Sequence, residues 1–165
     1  MSARLMCDAP DAFVAAASVT GAGPWEDFTA NCNLDRPYPY MHIHGTFDFV
    51  VPYARAVDVV RDMVGINRCS PEGRVTFQNE SVTCESWGDG CELPAGRSNT
   101  SFCTVQFGGH AWPGFPEYAN GTPDMHASTE IWRFYEGVMR TTSAPRPKGL
   151  NKAAATAQAA QGYVL

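Results

Sequence analysis

Six cysteines, at positions 7, 32, 69, 84, 91 and 103, constrain this chain more than any other feature of its sequence. They form an even set at irregular spacing, and no two stand as Cys-x-x-Cys, so cross-links are favoured over a zinc site. Three Asn-x-Ser/Thr acceptors, at Asn79, Asn99 and Asn120, lie in polar, turn-like stretches. Together the cysteines and acceptors predict an oxidising, secretory compartment and an extracellular product. With 165 residues, 44% of them hydrophobic and 18% charged, the chain is long and apolar enough for one domain with a real core. The net charge of −5, with no basic run to follow phosphates, argues against nucleic acid as a partner. No apolar stretch approaches the roughly 18 residues that span a bilayer, so a membrane is not expected either. No metal or other cofactor is expected.

Six cysteines allow fifteen pairings, and spacing alone does not choose among them. Cys7 and Cys32 flank the first strand candidate and its loop, while Cys84 and Cys103 fall in extended segments that could be neighbours. Cys69 and Cys91 then close the intervening excursion. The expected pairs are therefore 7–32, 84–103 and 69–91, with Cα separations of roughly 4.4–6.8 Å.

Hydrophobic periodicity supplies the elements. Residues 2–10 read as a short helix stopped at Pro10, and AFVAAASV (12–19) as a buried strand ended by Thr20 and Gly21. YMHIH (40–44) reads as a strand closed by Gly45. Residues 54–66 place Ala56, Val57, Val60, Met63 and Val64 on one face of an amphipathic helix. Two β-segments follow at 74–79 and 81–87, then a strand at 101–107 ending in Gly108-Gly109. His126–Met139 reads as a closing helix with Ile131, Trp132, Tyr135 and Val138 inward. This order predicts an α/β fold in which helices cover both faces of a mostly parallel sheet. Residues 141–165, broken by Pro145, Pro147 and Gly149 and then Ala-rich, have no apolar stripe and read as a flexible tail.

Two strand ends carry the chemistry. Gly45-Thr46-Phe47-Asp48 follows the 40–44 strand, and Gly108-Gly109-His110-Ala111-Trp112 follows the 101–107 strand. In open α/β sheets the reactive groups lie beyond the carboxyl ends of the strands. An Asp and then a His placed there match the later two members of a hydrolase triad in chain order. His110 would take the nucleophile's proton, and Asp48 would fix its tautomer and stabilise the imidazolium. His42 and His44 point to one side of a strand and could pair on a metal, but Asp48 is the one further ligand at suitable spacing. Packing or hydrogen bonding near the site is the expectation for both. His126 reads as a surface or capping residue.

The runs HIHGTFDFVVPY (42–53), FGGHAWPG (107–114) and IWRF (131–134) resemble the polyhydroxybutyrate depolymerase-like and feruloyl esterase group of α/β-hydrolases. RLMCDAPDAFVAAASVTG (4–21) is similar to the stretch that follows the nucleophile in that group. The resemblance covers about residues 1–140 and implies the C-terminal portion of an α/β-hydrolase catalytic domain. It implies Asp48 and His110 as the triad acid and base, with Trp112 and Tyr53 beside the ester substrate; a plain packing role for Trp112 is equally open. The implied substrates are feruloyl or acetyl esters on plant polysaccharide, or short hydroxyalkanoate polyesters. Phe107 stands where the group often carries a third glycine, and Phe47 and Phe49 replace smaller residues.

No Gly-x-Ser-x-Gly occurs in the 165 residues. The nearest string, Gly96-Arg97-Ser98-Asn99-Thr100, precedes a strand instead of following one, so it is no nucleophile elbow. The opening MSARLMCDAP has no apolar signal-peptide core. The expectation is a fragment of a secreted serine esterase, beginning at an internal methionine and inactive alone, its nucleophile and leader lying upstream. A non-catalytic secreted binding protein that keeps the scaffold is the rival.

Overall fold

Two glycines bring together the loops that carry the Asp and His candidates, and the sheet beneath them explains why. The computed structural model describes residues 1–23, 31–32, 34, 36–91, 99–115, 117 and 121–142. The expected tail from 143 onward, the acceptor Asn120 and Ser98 of the 96–100 string lie outside the described residues.

Among the described residues five strands form one sheet: β1 (Ala16–Val19), β2 (Tyr40–Gly45), β3 (Arg74–Gln78), β4 (Val82–Trp87) and β5 (Thr100–Val105), in the spatial order β1-β2-β5-β4-β3. Three α-helices accompany them among the described residues: α1 (Ser2–Asp8), α2 (Tyr53–Ile66) and α3 (Ala127–Thr142). The class is α/β, as the sequence predicts, but the sheet is mixed. β1, β2 and β5 are mutually parallel, whereas β4 runs antiparallel to β5 and β3 antiparallel to β4. The few residues between β3 and β4 allow a hairpin, and a parallel pairing would need a crossover of a dozen or more.

β2 is an interior strand, between β1 and β5, and is buried along its whole length. Its Met41 and Ile43 join Val82, Cys84, Cys103, Val105 and Ala127 in a core beneath α3. Tyr40, on the alternate side, packs with Met6 of α1 and with Val59 and Met63 of α2. The helices thus cover both faces. β1 occupies one edge and is shorter than the 12–19 run predicts, with Phe13 and Val14 outside the strand and exposed.

Helix faces needed correction at two positions. In α2 the buried set is Ala56, Val59, Val60, Met63 and Val64, and Val57 is 40% exposed. In α3 Val138 is buried, but Trp132 is 59% exposed and Phe134 packs on the core in its place. Both misplaced residues border the true apolar stripe, so a small rotation of the helix about its axis decides between neighbours. Buried Asn67 fastens the end of α2: its Nδ2 donates to the Tyr38 carbonyl at 2.9 Å and to Thr100 Oγ1 at 2.8 Å, and its Oδ1 accepts from the Tyr38 amide.

Three disulfides join Cys7 to Cys32, Cys69 to Cys91 and Cys84 to Cys103, the pairing expected from position. The Cα separations are 4.9, 3.8 and 4.0 Å, two of them closer than the usual span. Cys84 and Cys103 stand directly opposite on β4 and β5, where the close approach of a non-hydrogen-bonded pair brings the two sulfurs together.

Candidate active site

The parallel strands β2 and β5 are hydrogen-bonded neighbours, so their carboxyl ends, Gly45 and Val105, emerge side by side. The two loops that follow are stitched together. The Thr46 amide donates to Val105 O and the Phe47 amide to Gly108 O, both at 2.9 Å, while the Phe107 amide donates to Thr46 Oγ1 at 2.8 Å. A Cβ on Gly45 would sit 2.1 Å from the Gly108 carbonyl oxygen, so only glycine permits this approach.

Asp48 and His110 meet there. Asp48 Oδ2 lies 2.8 Å from His110 Nδ1. The Asp48 side chain is fully buried and that of His110 is 39% exposed. The other Asp48 oxygen, Oδ1, accepts from the backbone amides of Val50 and Val51 at 2.9 and 2.8 Å. Burial pushes this carboxyl up, but the Val51 amide, the His110 ring and the Val50 amide outweigh it and hold Asp48 below the usual carboxylate value. An ionised carboxylate facing Nδ1 requires a proton on that nitrogen, leaving Nε2 as the basic atom. Among the described residues no hydrogen-bond partner occupies His110 Nε2.

His44 reaches the same carboxylate. Its Nε2 is 2.9 Å from the Val51 carbonyl and 3.2 Å from Asp48 Oδ2. His44 Nδ1 lies 3.1 Å from His42 Nε2, and His42 Nδ1 lies 2.8 Å from the Tyr40 hydroxyl. All three side chains are completely buried on one face of β2. The two histidines serve hydrogen bonding, and no group of three or more metal-ligating side chains occurs among the described residues.

Trp112 is 44% exposed, and its indole N–H donates to Ser128 Oγ of α3 at 3.2 Å. Tyr53 heads α2, stacks on Phe102, turns its ring towards His44 and bonds Thr104 Oγ1 through its hydroxyl at 2.7 Å. Tyr53 also lines a cavity of about 450 Å³ under α2, whose described lining does not include His110. Exposed His126 supplies the carbonyl that caps the first turn of α3 and packs against Phe115. Asn79 is exposed and its amide donates to the Asp124 carbonyl, whereas Asn99 accepts from Ser86.

Sequence reasoning missed three parts of the site. The Val50 and Val51 amides form an Asx-type turn, for which an Asp two residues before the bonded amide was the available signal. Tyr40 shares the strand face of His42 and His44 through the alternation of a β-strand, which was also legible. The exposed aromatic group of Phe47, Phe49 and Phe107 was not. Its rings meet edge to face, with centroids 5.9 and 5.4 Å from that of Phe47, beside a depression of about 490 Å³ running past Gly108 to Thr122. Phe107 holds φ 57 in the left-handed region, the conformation for which glycine is favoured there.

No known family model matches the chain, and no curated protein matches it significantly.

Proposed function

We propose that Asp48 and His110 are the acid and base of a serine-esterase triad in an α/β-hydrolase, acting on a nucleophile supplied from outside these 165 residues. The observation that carries this reading is the 2.8 Å contact between a buried carboxylate and a half-exposed imidazole, at the carboxyl ends of adjacent parallel strands. His110 Nε2 would take the proton of the nucleophile's hydroxyl as its oxygen attacks the ester carbonyl. It would then deliver that proton to the departing alkoxide, and the resulting acyl-enzyme would be hydrolysed by water with the same base. Asp48 would stabilise the imidazolium in both halves. The family resemblance favours feruloyl, acetyl or hydroxyalkanoate esters. The three disulfides favour an extracellular setting.

A secreted binding protein on the same scaffold is the second reading, favoured by the exposure of Phe49 and Phe107, at 87% and 70%. The test expresses residues 1–165 and, separately, the chain extended by its upstream in-frame sequence, and assays p-nitrophenyl acetate and methyl ferulate. The 1–165 chain is expected to be inert and the extended chain active. In the extended chain Asp48→Asn should then lower turnover on the order of 10⁴-fold and His110→Ala on the order of 10⁶-fold. An inert extended chain favours the binding protein. Robust turnover by residues 1–165 that vanishes in His110→Ala would reveal another nucleophile and overturn the fragment reading.

A further inference from the structure

We infer that Tyr40, His42 and His44 form a directional hydrogen-bond relay through the buried face of β2 that positions the Asp48 carboxylate. The inference rests on the reading of Asp48 as the triad acid, but the relay follows from the proton inventory alone. His44 Nε2 faces two acceptors, the Val51 carbonyl and the Asp48 carboxylate, so it carries the proton. The neutral ring then has Nδ1 as an acceptor, and the atom facing it, His42 Nε2, must donate. His42 Nδ1 is in turn an acceptor and takes the Tyr40 hydroxyl proton. Ser18 hydrogen-bonds the Tyr40 phenol at the far end. The Gly21 backbone is a further acceptor at the His42 ring, and the contact with the His44 Nδ1 acceptor places the His42 proton on Nε2, so every donor along the row points towards Asp48.

The groups facing the row give the same polarity. Phe102 of β5 and Tyr53 of α2 close around the imidazoles with apolar ring surface, at 5.7 Å from His42 and 6.1 Å from His44. Besides the Tyr53 phenol, whose hydroxyl is turned to Thr104 Oγ1, the ionisable groups meeting the pair are Asp48 and His110 at one end and Tyr40 at the other. Burial lowers both histidines, His42 to about 3 with help from the His44 ring, so neither donates as a cation at neutral pH. Among the described residues no buried side-chain nitrogen or oxygen lacks a partner. A neutral, fully bonded row leaves the single negative charge on Asp48. It also leaves Oδ2 shared between His44, which fixes it from within, and His110, which faces solvent. His44 is thus a positioning residue.

The first measurement uses the unaltered 165-residue chain, labelled with ¹⁵N, in long-range ¹H–¹⁵N spectra near pH 7. His42 and His44 should both appear as neutral Nε2–H tautomers. An Nδ1–H tautomer or a doubly protonated ring at either position overturns the relay. The second follows the Asp48 carboxyl carbon by ¹³C titration in the wild type, His44→Phe and His44→Gln. Loss of the donor in His44→Phe should move the Asp48 titration upward, and His44→Gln, which keeps an N–H donor, should restore part of the shift. Equal Asp48 titrations in the wild type and a folded His44→Phe overturn the positioning role. If His44→Phe does not fold, the tautomers decide. None of these signals needs turnover, so an inert extended chain with the expected tautomers and titrations would sink the esterase reading and leave the relay standing.

Discussion

Strands β2 and β3 belong to one sheet and are similar in length, yet they lie at opposite extremes of burial. Every residue of β2 is buried, including two histidines, while every residue of β3 is exposed, including Val75 and Phe77. Apolar content does not account for the difference, since Arg-Val-Thr-Phe-Gln has two apolar, β-favouring residues of its own, Val75 and Phe77. Position does. β2 lies between β1 and β5 with helices over both faces, whereas β3 is an edge strand among the described residues, paired there with β4 and bulged between Val75 and Phe77. A bulge at an edge twists it away from further pairing. Burial along the interior strand makes the polar groups of β2 consequential, because an unpaired histidine there would cost what a paired one avoids.

The largest expected effect tests the interior strand directly. Ile43→Ala removes a fully buried side chain from the core under α3 and should cost about 2–5 kcal/mol in urea unfolding. A loss below about 1 kcal/mol would mean that β2 is less tightly enclosed than its burial implies.

The next concerns what ties the outer hairpin to the parallel half. Replacing Cys84 and Cys103 together with Ala opens a bridge spanning 19 residues and should cost about 3 kcal/mol. Amide exchange should accelerate most in β3 and β4, because β1–β2–β5 pairing does not depend on the bridge. Uniform acceleration across the sheet would show the two halves to be one cooperative unit.

Acid sharpens the contrast by acting on β2 alone, since β3 contains no histidine. Burial holds His42 down to about 3 and lowers His44, whereas both titrate near 6.5 once unfolded. The unfolded chain therefore binds protons that the folded chain refuses. Stability is full above pH 6.5 and declines below it, by about 1.4 kcal/mol per pH unit for each histidine still neutral in the fold. For His42 the decline continues to about pH 3. Asp48, held below its ordinary 3.8, adds stability that is present above that value and lost as pH falls through its folded one. Urea midpoints at pH 7 and pH 5 check the sign, and equal midpoints would place the histidines in water.

The smallest effect lies at the edge. Val75→Ala, at a position 51% exposed, should change stability by no more than about 0.5 kcal/mol. A larger loss would show that something covers β3.

Local periodicity made α2, β2, β5 and the β3–β4 pair legible, because a 3.6-residue or two-residue repeat is written in adjacent residues. Asp48 and His110 were readable as candidates for the same reason, each falling just past a strand end. Val59 against Val57, and Phe134 against Trp132, were not. Neighbours at the border of an apolar stripe differ by which partner helix or strand faces them, and that partner is distant in sequence.

The sequence by itself determined the α/β alternation, the even set of cysteines and the two strand-end residues, since each depends on residue types at short spacing. The tertiary structure alone decided that β4 and β3 turn antiparallel and that β2 lies inside the sheet between β1 and β5. From that position follows the rest: Tyr40, His42 and His44 become a buried row pointing at Asp48 only when β5 and α2 close over them. Pairings between distant segments are set by the packing of the whole sheet, and no local pattern specifies them.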